Sequence, residues 1–225
     1  MASEFGDVFI AAIAAAISPV PIIAAILILF SGHARRNGIL YLLGWVAGML
    51  ICIGAVLLLP EDLDFHRGAV LANVGAGFRL LVGLLFVIAA LMVWLRRPKT
   101  GEAHPLPAWT NRIEGISGIQ ALLLAVGLAV INPKNLALAF STILSIAEAR
   151  AGEREARLAL ALFVLIGSST IAVPVFYRLI AGQRADRQLQ AWKEWLTYNN
   201  ATVVCVVLLM IGVMIIGKGV GGFLV

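Results

Sequence analysis

Apolar residues run along this chain in long blocks separated by short polar stretches, and a block of about 20 such residues is what a helix needs to cross the hydrocarbon core of a bilayer. The blocks lie near 8–30, 39–59, 74–95, 116–147, 158–181 and 201–221. The pattern predicts six membrane-spanning helices, two of which carry breakers. Ser18-Pro19-Val20-Pro21 sets two prolines inside the first block. The fourth block is too long for one upright span at about 1.5 Å per residue, and Asn132-Pro133-Lys134-Asn135 lies near its middle. A proline removes a backbone donor and disfavours helical geometry in the residue before it, so each of these spans should be broken.

Laid over each other, the two broken blocks match: Pro133 falls on Pro19, and "NLALAFSTILS" resembles "IIAAILILFS". Each half of the chain then holds three spans. An odd number forces the second half into the membrane upside down relative to the first, the inverted repeat of many secondary transporters. Gly83 in the third span and Gly212 in the sixth, each inside a Leu/Val/Ile run, agree with the repeat. The expectation is an all-α integral membrane protein, a single transporter domain over 1–225. Repeat one covers 1–95, a cytoplasmic linker 96–115, and repeat two 116–225.

The polar stretches add detail. "RRPKTGEAHPLPAWTNRIEG" (96–115) is rich in proline, glycine and charge and reads as an irregular linker. Within 182–200, Ala185, Leu189, Trp192 and Leu196 recur at helical spacing with Arg184, Arg187 and Lys193 near the other face. That amphipathic pattern predicts a short helix lying in the membrane interface, with Trp192 and Trp195 as interface anchors. Gly44-x-x-x-Gly48 permits close approach of helices, within the fold in the commoner use or at the seam of a homodimer. Pro174 predicts a kink in the fifth span.

Composition settles the class: 61% of residues are hydrophobic, 13% are charged, and mean hydropathy is +0.99, far from soluble globular values. The net charge of +5 does not signal nucleic acid, because the basic residues sit between apolar blocks. They report orientation instead. Arg35, Arg36, Arg96, Arg97, Lys99, Arg112, Arg184, Arg187 and Lys193 follow the first, third and fifth spans, against Arg67, Arg150, Arg154, Arg157 and Lys218 on the other side. Nine against five places both termini on the outer side of a membrane that the chain crosses many times. The opening "MASEFGD" lacks the basic region and cleavage site of a signal peptide, so the first span should be retained. Cys52 and Cys205 lie in apolar runs without a CxxC pattern and read as buried, inert thiols.

The candidate chemistry lies at the breaks. Ser18 and Asn132 are good N-cap residues, each followed by a proline at the first helical position, where a missing N–H costs nothing. A half-helix should start at each, offering free N–H groups and a positive dipole end to an anionic group near the midplane. Lys134 adds a full charge there, and an ionisable residue at that depth is a functional candidate by default. Its alternatives are snorkelling to an interface or satisfying neighbouring carbonyls. The candidate substrate-binding set is Ser18, Pro19, Pro21, Asn132, Pro133, Lys134 and Asn135. All twelve acidic residues lie in loops or at segment ends, so no mid-membrane carboxylate serves a proton relay or a metal cage. No nucleophile, acid–base pair or cofactor motif points to an enzyme.

The segments "ISPVPIIAAILIL", "ARRNGILYLLGWVAGM", "RRPKTGEAHPLPAW", "INPKNLALA" and "NNATVVCVVLLMIGVMIIGKG" together resemble the GAP family of peptidoglycolipid-addressing proteins, sulfolipid-addressing members included, a branch of the LysE/RhtB exporter superfamily. The resemblance covers nearly the whole chain in order. It implies a six-span plasma-membrane protein that serves the outward movement of cell-envelope glycolipids. Thiol-relay members of that superfamily carry cysteines at the two breaks, where this chain has Ser-Pro-Val-Pro and Asn-Pro-Lys-Asn, so a redox role is disfavoured.

Three functions follow as expectations. The leading one is a transporter that carries an anionic or polar-headed envelope lipid, or its precursor, to the outer leaflet by alternating access. The second is an exporter of a small solute such as an amino acid. The third is a non-transporting assembly factor that docks glycolipid synthesis or export proteins through the 96–115 loop and the 182–200 helix.

Overall fold

The computed structural model describes residues 2–58, 69–97, 113 and 115–221, and among these it is entirely helical. The helices are α1 (Ala2–Ala16), α2 (Pro19–Ile28), α3 (Ala34–Leu57), α4 (Ala69–Leu95), α5 (Gly118–Val130), α6 (Pro133–Glu148), α7 (Glu153–Ala181) and α8 (Asp186–Gly221), with a 3-10 turn at Gly182–Ala185 between the last two. The acidic connection with Glu61, Asp62 and Asp64, and nearly all of the 96–115 linker, lie outside the described residues.

Both expected breaks are present. The axes of Gly6–Ala16 and Pro19–Ile28 differ by 52°, and those of Gly118–Val130 and Pro133–Ala147 by 63°. Two stretches, Ala34–Leu57 and the helical run Glu153–Gly221, are long and apolar enough to cross a membrane. Each bent pair, taken as one span, raises the number to four, and Leu80–Leu95 is a shorter apolar helix. Large apolar side chains face outward along these helices, among them Leu43, Leu50, Leu123, Leu165 and Phe176. Lipid, not water, suits such a surface.

The chain forms two compact units, Met1–Leu57 with Ala103–Asn200, and Leu58–Glu102 with Ala201–Val225. In the first unit, α3 packs along α5 and α1 along α7, while α6 touches α1, α3 and α7. Small residues set these contacts. A Cβ on Gly44 would run into the backbone carbonyl of Leu122, and one on Gly48 would sit 2.5 Å from the Ala129 methyl. The Gly44-x-x-x-Gly48 pair is thus used inside the fold, where it brings α3 and α5 to backbone contact. Gly167 of α7 leaves room for the Met49 side chain of α3, whose Cε would lie 2.9 Å from a Cβ there, with Ala15 of α1 in ordinary contact. Trp45, Tyr41, Phe163 and Met49 fill the interior and are fully buried. In the second unit α4 crosses the later part of α8 at a reciprocal glycine pair: a Cβ on either Gly83 or Gly212 would lie 2.9 Å from the other's carbonyl oxygen.

Helix ends follow their local chemistry. Ser117 and Gln120 form a full capping box at the start of α5, and the Gly152 amide donates to the Glu155 carboxylate at the start of α7 (2.8 Å). Gly182 ends α7 at φ 59°, ψ −134°, a conformation open to glycine alone. The expected separate interface helix at 182–200 requires correction. After the 3-10 turn the chain enters α8 and continues helical through Asn199-Asn200 to Gly221. Neither asparagine is a strong breaker here. Asn199 Nδ2 donates back to the Trp195 carbonyl (2.9 Å) and Thr197 Oγ1 to that of Lys193 (2.8 Å), bonds compatible with an unbroken helix. Pro174 likewise sits inside α7 without ending it.

Candidate functional site

A break inside an apolar helix exposes the last carbonyls of the first half, and in a membrane each must find a partner within the protein. For α1 these are the carbonyls of Ala14, Ala15, Ala16 and Ile17. The Lys134 ammonium takes three, donating to Ala14 O (2.7 Å), Ile17 O (3.0 Å) and, at a longer 3.2 Å, Ala15 O. Thr170 Oγ1 of α7 and the Ser18 amide both donate to Ala16 O. Ser18 Oγ is a fourth acceptor (2.7 Å), so the three N–H groups of Lys134 are shared among four partners, and that hydroxyl in turn donates to Ala15 O (3.2 Å). Every exposed carbonyl of α1 is satisfied.

The second break uses the neighbouring residue. Asn132 caps α6 from an extended conformation, its side-chain oxygen accepting from the Lys134 amide at 3.0 Å and its carbonyl from the Asn135 amide at 3.0 Å. Asn135 Nδ2 then reaches back to Ala129 O at the end of α5 (3.0 Å), a carbonyl that also faces the Cys52 thiol at 3.7 Å. Two adjacent residues at the start of α6 therefore serve both breaks: Asn135 satisfies the Ala129 carbonyl of its own, and Lys134 closes the one more than 110 positions earlier.

This arrangement modifies the electrostatic expectation. Lys134 is only 7% exposed, which excludes snorkelling, and its charge meets the carbonyl end of α1, where the helix dipole is negative. The expected free N–H groups at the two half-helix starts are mostly spent or missing. Pro19 and Pro21 have none, the Ile22 amide bonds to Ser18 O, and Asn132 occupies those of Lys134 and Asn135. Val20 supplies the single N–H between the two prolines. Ser18 stands at the N-cap position of α2 but makes no side-chain cap, because Lys134 holds its hydroxyl. Of the candidate set, Ser18, Lys134, Asn132 and Asn135 thus form one polar cluster. Pro19 and Pro133 start the half-helices beside it.

Against the cluster lies an apolar cavity of about 400 Å³, bordered by Val20 and Pro21 from the first break and by Gly127, Ile131, Asn132 and Pro133 from the second. Its size is that of an ordinary ligand site, and its lining suits hydrocarbon better than a charged group. Residues that the periodicity did not single out complete the frame. Tyr41 donates to the Pro21 carbonyl (2.9 Å), and Asn37 Nδ2 ties Ser31 Oγ (3.1 Å) to the Ile116 carbonyl (2.9 Å). A polar residue inside an apolar block is the available signal for Tyr41, as it is for the Ser168-Ser169-Thr170 run that supplies Thr170, whereas Ser31 and Asn37 lie between blocks and carry no such signal. Asn135 Oδ1, Thr142 Oγ1, Ser168 Oγ and Trp45 Nε1 are buried without a hydrogen-bond partner.

Comparison with known proteins gives one family. The model described as "Sap, sulfolipid-1-addressing protein" matches residues 8–221. No match was found among curated proteins or among solved structures.

Proposed function

The chain belongs to the Sap, sulfolipid-1-addressing protein, family, and from that premise we propose that it moves an anionic or polar-headed cell-envelope lipid, or its precursor, across the plasma membrane by alternating access. In this reading six spans form a 3+3 inverted repeat with both termini outside. The packing of the first unit supports the repeat. Exchanging the halves sends α1 to α5, α2 to α6 and α3 to α7, and the contacts α1 with α7, α2 with α3 and α2 with α7 then become α5 with α3, α6 with α7 and α6 with α3, all of which are made. The reciprocal Gly83–Gly212 crossing obeys the same exchange.

The observation that carries the mechanism is Lys134, whose ammonium bridges the two broken helices through three backbone carbonyls and Ser18. The bridge marks the resting state of the junction. A lipid whose apolar part enters the cavity beside Pro21 and Pro133 brings its anionic headgroup into competition with those carbonyls for the ammonium. Transfer of Lys134 to the headgroup uncouples α1 from α6 and lets the repeats move, with Ser18, Asn132 and Asn135 as hydrogen-bonding neighbours.

Transport of labelled lipid to the outer leaflet, measured in reconstituted vesicles, tests this. Lys134→Ala should abolish it at normal expression. Unchanged transport in the Lys134→Ala/Asn132→Ala double variant sinks the assignment. One observation favours a second reading: the polar groups at the breaks are largely satisfied within the protein, as a rigid assembly factor for glycolipid export would require. A scaffold alone moves nothing across vesicles, so the same assay separates the two.

A further inference from the structure

A second site stands apart from the breaks, at the far ends of α2 and α7. His33, Arg35 and Arg36, where α3 begins, and Arg178 and Gln183, where α7 ends, line a cavity of about 420 Å³. Arg178 is already engaged, donating to the Gly182 carbonyl and the Asp186 carboxylate. Arg35 and Arg36 are exposed and form no ion pair among the described residues. Arg35 and Arg36 therefore bring two uncompensated charges to the edge of the pocket, beside the first N–H groups of α3, with Arg36 Nε also lying close to Gly118 at the start of α5.

One helical turn along α7, a separate apolar cleft of about 340 Å³ opens between Ile22 and Ile26 of α2, Val173 and Pro174 of α7, and Trp192, Trp195 and Leu196 of α8. Pro174 lines the cleft and Arg178 lines the basic pocket. Four residues apart on one helix, they share a face and stand about 6 Å apart along the axis. The two share no lining residue, but a basic pocket one helical turn from an apolar cleft on the same helix presents the two polarities of a single amphiphile. Two free guanidinium groups suit a phosphate oxyanion, which they bind through paired N–H donors. The apolar cleft suits an acyl chain, and its two tryptophans suit the boundary between chain and headgroup.

The geometry points to a binding site for one anionic glycerophospholipid of the surrounding bilayer, with its phosphate on Arg35 and Arg36 and one acyl chain between α2, α7 and α8. Both connections that build the pocket follow odd-numbered spans, so the count of basic residues places it on the inner face, where anionic headgroups are attracted to such clusters. The site is distinct from the cavity at the breaks, with which it shares no lining residue.

Brominated lipids test it directly, because bromine quenches tryptophan on contact and Trp192 and Trp195 line the cleft. The full chain carrying Trp94→Phe and Trp109→Phe is reconstituted in phosphatidylcholine vesicles with a minor fraction of phosphatidylglycerol, and bromine is placed on the acyl chains of one lipid or the other. Brominated phosphatidylglycerol should quench beyond its share of the bilayer. Arg35→Gln/Arg36→Gln should weaken that preference about fivefold per arginine, and the matching pair of lysine substitutions, which keep the charge without the paired donors, should fall between the glutamine pair and wild type. Val173→Phe, which narrows the cleft with both arginines intact, should lower it as well. Equal quenching by the two lipids, or an unchanged preference in the glutamine pair, overturns the site. Loss of the preference on adding millimolar inorganic phosphate also overturns it, since the ligand is then a free anion. The readout is equilibrium occupancy and does not depend on transport.

Discussion

Replacing Lys134 with methionine keeps the length of the side chain and removes the ammonium alone. Ala15 O retains the Ser18 hydroxyl, so the loss falls on Ala14 O and Ile17 O, whose side-chain partner at 2.7 and 3.0 Å is gone. A buried carbonyl left without a partner costs about 1–3 kcal/mol, and two give about 2–6 kcal/mol. Release of the buried charge from its desolvation offsets part of this and places the expectation in the lower half of that range. Reversible unfolding of the purified protein in mixed micelles measures it. A double-mutant cycle with Ser18→Ala isolates the bridge and should return a coupling of about 0.5–3 kcal/mol, because Ser18 both accepts from Lys134 and donates to Ala15 O. Lys134→Arg should fall between wild type and methionine, since a planar fork does not direct three donors onto converging carbonyls. A Lys134→Met change below about 0.5 kcal/mol, the range of ordinary surface substitutions, refutes the claim that this amine closes the break.

Three further outcomes follow from the packing and the termini. Gly48→Ala places a methyl 2.5 Å from the Ala129 side chain and should cost about 1–3 kcal/mol, whereas Gly54→Ala, with open space around it, should stay within about 0.5 kcal/mol; equal effects contradict the close α3–α5 approach. Asn132→Ala should cost about 0.5–2 kcal/mol through loss of the α6 cap and speed hydrogen exchange at the Lys134 amide, whose side-chain acceptor it removes, while Asn132→Ser should retain much of both. In a background lacking Cys52 and Cys205, a membrane-impermeant maleimide applied to intact cells should label Glu153→Cys and spare Gln183→Cys; labelling of both is incompatible with the six-span orientation.

The breaks were legible because their cause is local. A proline has no N–H wherever it stands, so Pro19 and Pro133 mark a discontinuity from the sequence alone, and Asn132 marks its own role as a cap. That Lys134 satisfies neighbouring carbonyls was one of the readings its sequence position offered, but which carbonyls was not legible. Its partners are backbone carbonyls more than 110 positions away, and a carbonyl has no sequence signature. The same holds for Thr170, whose hydroxyl answers the Ala16 carbonyl. The continuity of α8 through Asn199-Asn200 was missed for the opposite reason. The amphipathic spacing of 182–200 and the apolar run from 201 are different patterns, and a change of pattern resembles a boundary even when no residue there breaks a helix.

Placing an ammonium inside the membrane to close a helix break is an expensive solution, since a second hydroxyl or amide could satisfy the same carbonyls without burying a charge. Asn135 does this for one carbonyl of α5, that of Ala129. The asymmetry between the two breaks is informative, because a neutral amide gives an anion little reason to displace its bond, while an ammonium held by carbonyls has a stronger partner in any anionic headgroup that reaches it. A ligand shifts a conformational equilibrium only by its differential affinity for the two states. In the proposed mechanism Lys134 supplies that difference, so an anionic lipid should open the junction and a neutral one of the same shape should not. Paired transport measurements with a charged headgroup and its neutral analogue follow directly. Equal rates for the two in wild type remove the reason for a lysine at this position.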